Sequence, residues 1–226
     1  MDTPKQIYAL DSDAGAERIA KRMARAGLCS RRDAEQWIAA GRVSVNGQVL
    51  ETPAFIVQPN DEIIVDDRVL AKAEAARLWR YYKPRGLVVS HRDEQQRETI
   101  FDRLASKLPR VMSVGRLDLD SEGLILLTND GGLSRHLELP STGWTRKYRV
   151  RVYGRVDEQA LDDLKDGISI DGIHYGSLLA RLDKQMNSNA WLTIAIKEGK
   201  NREIRRVMEY LGYSVSRLIR TSYGPF

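Results

Sequence analysis

Residues 115–132, GRLDLDSEGLILLTNDGG, limit what this chain can fold into more than any other stretch. A polar loop over 116–123 runs straight into an apolar segment, 124–128. Gly123 bounds that segment on one side and Asn129-Asp130-Gly131-Gly132 on the other, so its length and β-branched residues predict a buried strand. Three carboxylates, Asp118, Asp120 and Glu122, sit at alternate positions just before it. Like charge at that density is costly against a core unless cations answer it.

The loop admits three readings. As a calcium loop, Asp118, Asp120, Glu122 and Gly123 take positions one, three, five and six. The twelfth position is then Asn129 in place of a bidentate Glu, and the flanks lack paired helices. As a solvated turn, Asp120 and Glu122 simply stay wet. As a catalytic loop, one acid is presented at a strand mouth beside Arg116.

The 226 residues allow one large domain, or a small one and a medium one. No apolar run approaches the ~20 residues of a membrane span. The first residues lack the basic start and apolar core of a secretory signal. The single cysteine, Cys29, rules out an intramolecular disulfide and fits a reducing cytoplasm; it reads as a small buried residue. His91, His136 and His174 are scattered without a cysteine partner, which argues against zinc. The net charge of +5 is uneven: residues 17–42 hold seven cations against three acids, and residues 197–220 again hold seven against three. Two basic islands point to two contact surfaces for a polyanion.

Along the chain, residues 1–14 read as a flexible tail. A helix is expected over 17–26, with Ile19, Ala20 and Met23 on one face. Ser30 caps a second helix, with Asp33 at its third position, Trp37 and Ile38 facing inward, and Gly41 as its stop. Val43 and Val45 alternate, Asn46-Gly47 makes a tight turn, and residues 61–65 add a strand. Residues 67–77 lack a core face and read as a linker. Strands over 78–82 and 87–90 flank Lys83-Pro84-Arg85-Gly86, a bend expected to hold two cations in solvent. Asp130 caps a helix to 139, and 147–153 alternates as a strand with Tyr148 near its start. A helix over 157–166 and strands over 168–170, 173–175, 178–182 and 191–196 follow. Asn201 is expected to cap a helix with Ile204, Val207, Met208 and Leu211 inside, before a last strand over 215–220. Strands and helices do not alternate regularly, so the fold class is α+β with a mixed or antiparallel sheet. The domain layout is a tail (1–14), a small domain (15–66), a linker (67–77) and a larger domain (78–226).

Two parts of the chain carry resemblances. The Ser30-Arg31-Arg32-Asp33-Ala34 helix start and the GRVSVNG hairpin at 41–47 resemble the S4 RNA-binding domain; Arg31, Arg32 and Arg42 would face RNA. GRLDLDSEGLILLTNDG resembles the central motif of the bacterial ribosomal pseudouridine synthases of the small-subunit synthase A and large-subunit synthase B, E and F type. Tyr82-Lys83-Pro84-Arg85-Gly86 upstream and Glu198-Gly199-Lys200-Asn201-Arg202-Glu203-Ile204-Arg205-Arg206 downstream match the same family in order. Ser216-Arg217-Leu218-Ile219-Arg220 is most similar to the large-subunit synthase B branch, although Ser222 stands where an Arg is common.

The resemblance implies isomerisation of a uridine to pseudouridine. Asp118 would be the catalytic carboxylate, Tyr148 would stack on the target base, and Arg205 would be the cation beside Asp118. Arg116 would fill the space left by the flipped base or grip its phosphate. Lys83, Arg85, Lys200, Arg202 and Arg206 would be backbone contacts. No cofactor and no metal is called for, since the reaction needs neither energy nor a redox partner. The implied partner is rRNA, 23S by the branch resemblance, met by a monomer away from any membrane. The sequence also admits two rival readings: an S4-domain assembly factor without catalysis, and a metal-dependent nuclease built on Asp118, Asp120 and Glu122.

Overall fold

The computed structural model describes residues 5–10 and 15–226. The flexible tail expected over 1–14 gives way at Lys5–Leu10 to a strand, β1; residues 1–4 and 11–14 lie outside the described ones.

The small domain is built from α1 (Ile19–Arg25) and α2 (Arg31–Ala39) over short strands. Glu17–Arg18 pairs with Ile56–Val57 and leads into α1, so the first helix begins later than its periodicity suggests. Ser30 and Asp33 form a reciprocal capping box, Asp33 N–H to Ser30 Oγ at 3.0 Å and Ser30 N–H to Asp33 Oδ2 at 3.1 Å. A four-stranded antiparallel sheet follows: β2 (Val43–Val45), β3 (Gln48–Val49), β4 (Ile63–Val65) and β5 (Arg68–Val69), in the order β3-β2-β4-β5. Asn46 and Gly47 both take positive φ, which sets the twist of the β2–β3 hairpin. Ile19, Met23, Ile38, Val43 and Val57 are fully buried between helices and strands. Burial pushes the Cys29 thiol up to about 11, consistent with an inert core residue. Part of the expected linker is structured, because β5 hairpins back onto β4.

The larger domain is built on an eight-stranded mixed sheet, with Ile168–Ile170 and Ile173–Tyr175 forming a separate two-stranded one. Its main strands are β6 (Ala76–Lys83), β7 (Ser121–Thr128), β8 (Arg146–Tyr153), β9 (Leu178–Gln185), β10 (Asn189–Ile196) and β11 (Ser214–Tyr223). Their order is β1-β6-β7-β11-β8-β10-β9, with Met112–Val114 pairing alongside β7. β1 takes the free edge of β6, whose unpaired N–H and C=O groups explain why this part of the chain is drawn into the sheet. Only β7 and β11 run parallel among the main pairs. β7 is buried on both faces, as its unbroken apolar run requires; β8 and β10 alternate, with one side in the core. Gly123 pairs with Arg220 at φ +105, and a Cβ there would lie 2.3 Å from the Arg220 carbonyl oxygen, so only glycine allows the strands to meet. The strand expected over 87–90 is not formed. Pro84 and the turn at Gly86 interrupt pairing, leaving a single bridge between Val88 and Thr99. α3 (Gly131–Glu138) follows β7 with Asp130 as its cap, and α4 (Glu203–Tyr210) packs under β11. The whole is α+β.

Candidate active site

The loop between Met112–Val114 and β7 is held from several sides. Glu138 of α3 accepts the Gly115 N–H at 2.9 Å, and Leu119 O accepts from Gly86 N–H at 2.9 Å. The main fastening is Lys83. Its ammonium donates to the carbonyls of Ser121 (2.8 Å), Asp118 (3.0 Å), Pro84 (3.2 Å) and Leu119 (3.3 Å), and the residue is fully buried. Burial lowers its pKa to about 8, with Asp118, Asp120 and Glu122 pulling the other way. The expectation of Lys83 as a solvent-held RNA contact is therefore corrected. Strand alternation places it on the same inward side as Tyr81, and the loop carbonyls replace its water.

Glu122 is also corrected: it is buried, not wet. Arg217 Nε and Nη2 donate to its two oxygens at 2.7 and 3.0 Å, and the Tyr82 hydroxyl donates at 2.8 Å. Arg217 first of all holds this carboxyl below its usual range. The trio ties β6, β7 and β11 together. Asp120 stays exposed.

Asp118 is left to face a cavity of ≈ 140 Å³. Its side chain is 32% exposed, with Arg202 Nη1 and Arg205 Nε each 3.8 Å from Oδ2. That is too long for hydrogen bonding and close enough for charge attraction. Arg205, 12% exposed, donates to Val215 O at 3.2 Å and Asp120 O at 3.3 Å; burial brings its pKa below the usual arginine value. Arg202 precedes α4 at φ +51, a conformation uncommon for a side-chain-bearing residue. Asn201 does not cap the helix. Glu203 closes that turn instead, accepting the Lys200 N–H at 2.9 Å, and burial beside Glu198 pushes its carboxyl up to about 7.

Tyr148, from the third position of β8, is buried and lines the cavity with Asp118, Arg116, Lys200 and Arg202. Arg116 is exposed at its mouth. Arg85 and Arg206 are exposed outside the cavity. Arg31 and Arg32 are exposed on α2, while Arg42 is bound to Asp66 and lies over the Trp37 ring. Two arginines escaped assignment to the site. Arg220, 3% exposed, donates from Nε to Leu124 O at 2.6 Å and lines the cavity. Arg146 also lines it, donating to Lys197 O and to the Tyr223 hydroxyl, both at 2.9 Å. The spacing Leu218, Arg220 on the inward side of β11 was the available signal.

Known proteins show which family the chain falls in. The family model for RNA pseudouridylate synthase matches residues 77–210. The chain belongs to the RNA pseudouridylate synthase family. An S4 domain matches residues 17–63. An uncharacterized RNA pseudouridine synthase of Rickettsia felis is 48% identical over 210 residues, covering 93% of this chain and 91% of that protein. The ribosomal large subunit pseudouridine synthase B of Salmonella typhi is 40% identical over 215 residues, covering 92% and 74%. A crystal structure of a pseudouridylate synthase, 29% identical, aligns over 92% of this chain and 88% of that one with a TM-score of 0.60. As a pseudouridine synthase the chain is an isomerase acting on RNA. The family match spans the whole Asp118 loop, Tyr148 and α4.

Proposed function

We propose that this synthase converts a specific uridine of large-subunit 23S rRNA to pseudouridine, as a cytoplasmic monomer, with Asp118 as its catalytic carboxylate. The observation that carries this reading is the convergence of Asp118 and Tyr148 on the wall of one ≈ 140 Å³ cavity. A cavity of about 150 Å³ takes up benzene, so this one suits a single flipped pyrimidine.

The reaction breaks the bond from uracil N1 to ribose C1′ and forms one from C5; the C5 proton is lost and N1 gains a proton in its place. Asp118 supplies the carboxylate that acts at the ribose. The Arg202 and Arg205 guanidiniums lie 3.8 Å from its Oδ2 and face the charge it carries through the reaction. Tyr148 stacks on the freed uracil while it turns, an interaction worth roughly 1–3 kcal/mol and comparable to the cost of unstacking the base. Arg116 at the mouth takes the place of the flipped base or grips its phosphate. Lys200 and Arg202 hold the backbone near the cavity, Arg85 and Arg206 farther out, and Arg31, Arg32 and Arg42 engage RNA from the small domain. The 40% identity to a large-subunit synthase B supports the choice of rRNA.

Mapping pseudouridines across rRNA from cells with and without the gene tests this. One site missing from 23S rRNA in the deletion strain is expected. A full set of rRNA pseudouridines there, with a change in another RNA, would overturn the substrate.

A further inference from the structure

The face of the large sheet turned away from the cavity has no assigned role. Tyr148, Ile196 and Leu218 point into the cavity, so alternation sends Lys147, Arg149 and Arg151 of β8 to the opposite side. Register aligns other cations with them. Arg149 stands opposite Thr193 of β10, which stands opposite Arg181 of β9; one step along, Arg151 lies between Arg217 of β11 and Trp191, and Trp191 is opposite Lys184. Residues directly opposite share a face, so six cations stand on one open surface. All but the half-buried Arg151 are exposed.

Two carboxylates answer them. Asp183 pairs with Arg181 at 3.1 Å, and Glu122 is taken up by Arg217. Among the described residues, Lys147, Arg149, Arg151 and Lys184 have no carboxylate within ion-pair distance. Neighbours here are roughly 5 Å apart across strands and roughly 7 Å along them, inside the ~8–10 Å over which physiological salt screens charge. Arg151 and Arg217 even face each other directly, an arrangement that weakens a sheet. The Arg149 guanidinium lies 4.6 Å from the Trp191 ring centroid, which fixes its plane for an incoming anion. A cationic array fixed on a rigid sheet at this density complements a polyanion.

We propose that this outer face is a second RNA-docking surface, gripping the ribose–phosphate backbone of an rRNA segment other than the one entering the cavity. The inference rests on the reading of the chain as an rRNA-modifying enzyme. None of Arg149, Arg151 and Arg181 lies in the cavity, so their removal leaves the chemistry in place.

The test compares wild type, the Arg149→Ala/Arg151→Ala/Arg181→Ala variant and the triple Arg→Lys variant, using an unmodified 23S rRNA transcript as probe. For the alanine variant, the slope of log affinity against log salt should fall in magnitude by about 2–3, as roughly 0.9 is lost per phosphate contact. The lysine variant should keep the wild-type slope. Arg181→Ala alone, at a largely exposed edge-strand position, should lose about one and remain readable if the triple variant misfolds. An unchanged slope in a folded alanine variant overturns the proposal. So does unchanged binding to the bare transcript with lost binding to precursor large-subunit particles, which would assign the face to a protein. Wild type that forms no pseudouridine in the transcript would count against the proposed substrate instead, leaving the salt slopes to be read separately.

Discussion

The Asp118 loop and the small domain are both dense in charge, and they handle it in opposite ways. Around the loop, Lys83, Glu122, Glu203 and Arg220 are buried, and each is tied to a named partner atom. In the small domain Arg31 and Arg32 stand in solvent, and Arg42 is matched to an equally exposed Asp66. An unmet charge is expensive only where water is absent. Charge in the first region therefore fixes geometry, and the Arg31 and Arg32 guanidiniums of the second stand open to a ligand. Substitutions should separate them: loss of fold and chemistry in one, loss of salt-dependent affinity in the other.

The sharpest contrast should come from Lys83→Met. It removes the ammonium from four carbonyls, of which Asp118 O and Leu119 O keep a backbone donor and Ser121 O and Pro84 O lose this one, at an expected cost of about 3 kcal/mol or more. For a chain of this size that lowers Tm by roughly 2–4 °C per kcal/mol. Conversion should drop at least about a hundredfold, since a displacement near 1 Å costs that much. A variant with normal Tm and weakened RNA binding would return Lys83 to the backbone contacts. Glu122→Gln should be milder. It weakens the Arg217 and Tyr82 contacts by about 1–3 kcal/mol, seen as a Tm lower by several degrees.

Acidity offers a third probe. The Glu203 carboxyl rises from 4.5 to about 7 on folding, so the folded state holds the extra proton between those values. Stability from this group is full below pH 4.5 and is lost as pH rises towards 7. Tm measured across that window should decline less in Glu203→Gln than in wild type; parallel profiles would show that Glu203 titrates normally. The smallest effect on the fold is expected for Arg31→Ala with Arg32→Ala. Stability should shift within about 0.5 kcal/mol per site, while the salt slope of RNA binding falls by about 2. An unchanged slope would take α2 out of the RNA surface.

What the sequence disclosed was local. The buried strand at β7, the Ser30–Asp33 box and the Asn46-Gly47 turn depend on neighbours within a few residues, and each formed as expected. The Asp118 loop, Tyr148 and the α4 segment were legible because their residue order carries the family pattern. Lys83 was not, because its burial follows from which side of β6 faces the loop, a matter of sheet pairing. Glu122 looked solvated for the same reason: its partner, Arg217, is 95 residues away. The cations of β8 and β9 made no island in the sequence, and strand register alone unites them.

The central claim concerns Asp118, and Asp118→Asn tests it most directly. The change keeps the size and much of the hydrogen bonding of the side chain and removes its charge and reactive oxygen. Single-turnover conversion of an rRNA fragment should become undetectable, while RNA affinity stays within about tenfold because phosphate contacts supply most of the binding. Asp120→Asn, made in parallel at an exposed position, should remain within a few-fold of wild type. Readily measured pseudouridine formation by pure Asp118→Asn protein would contradict the account.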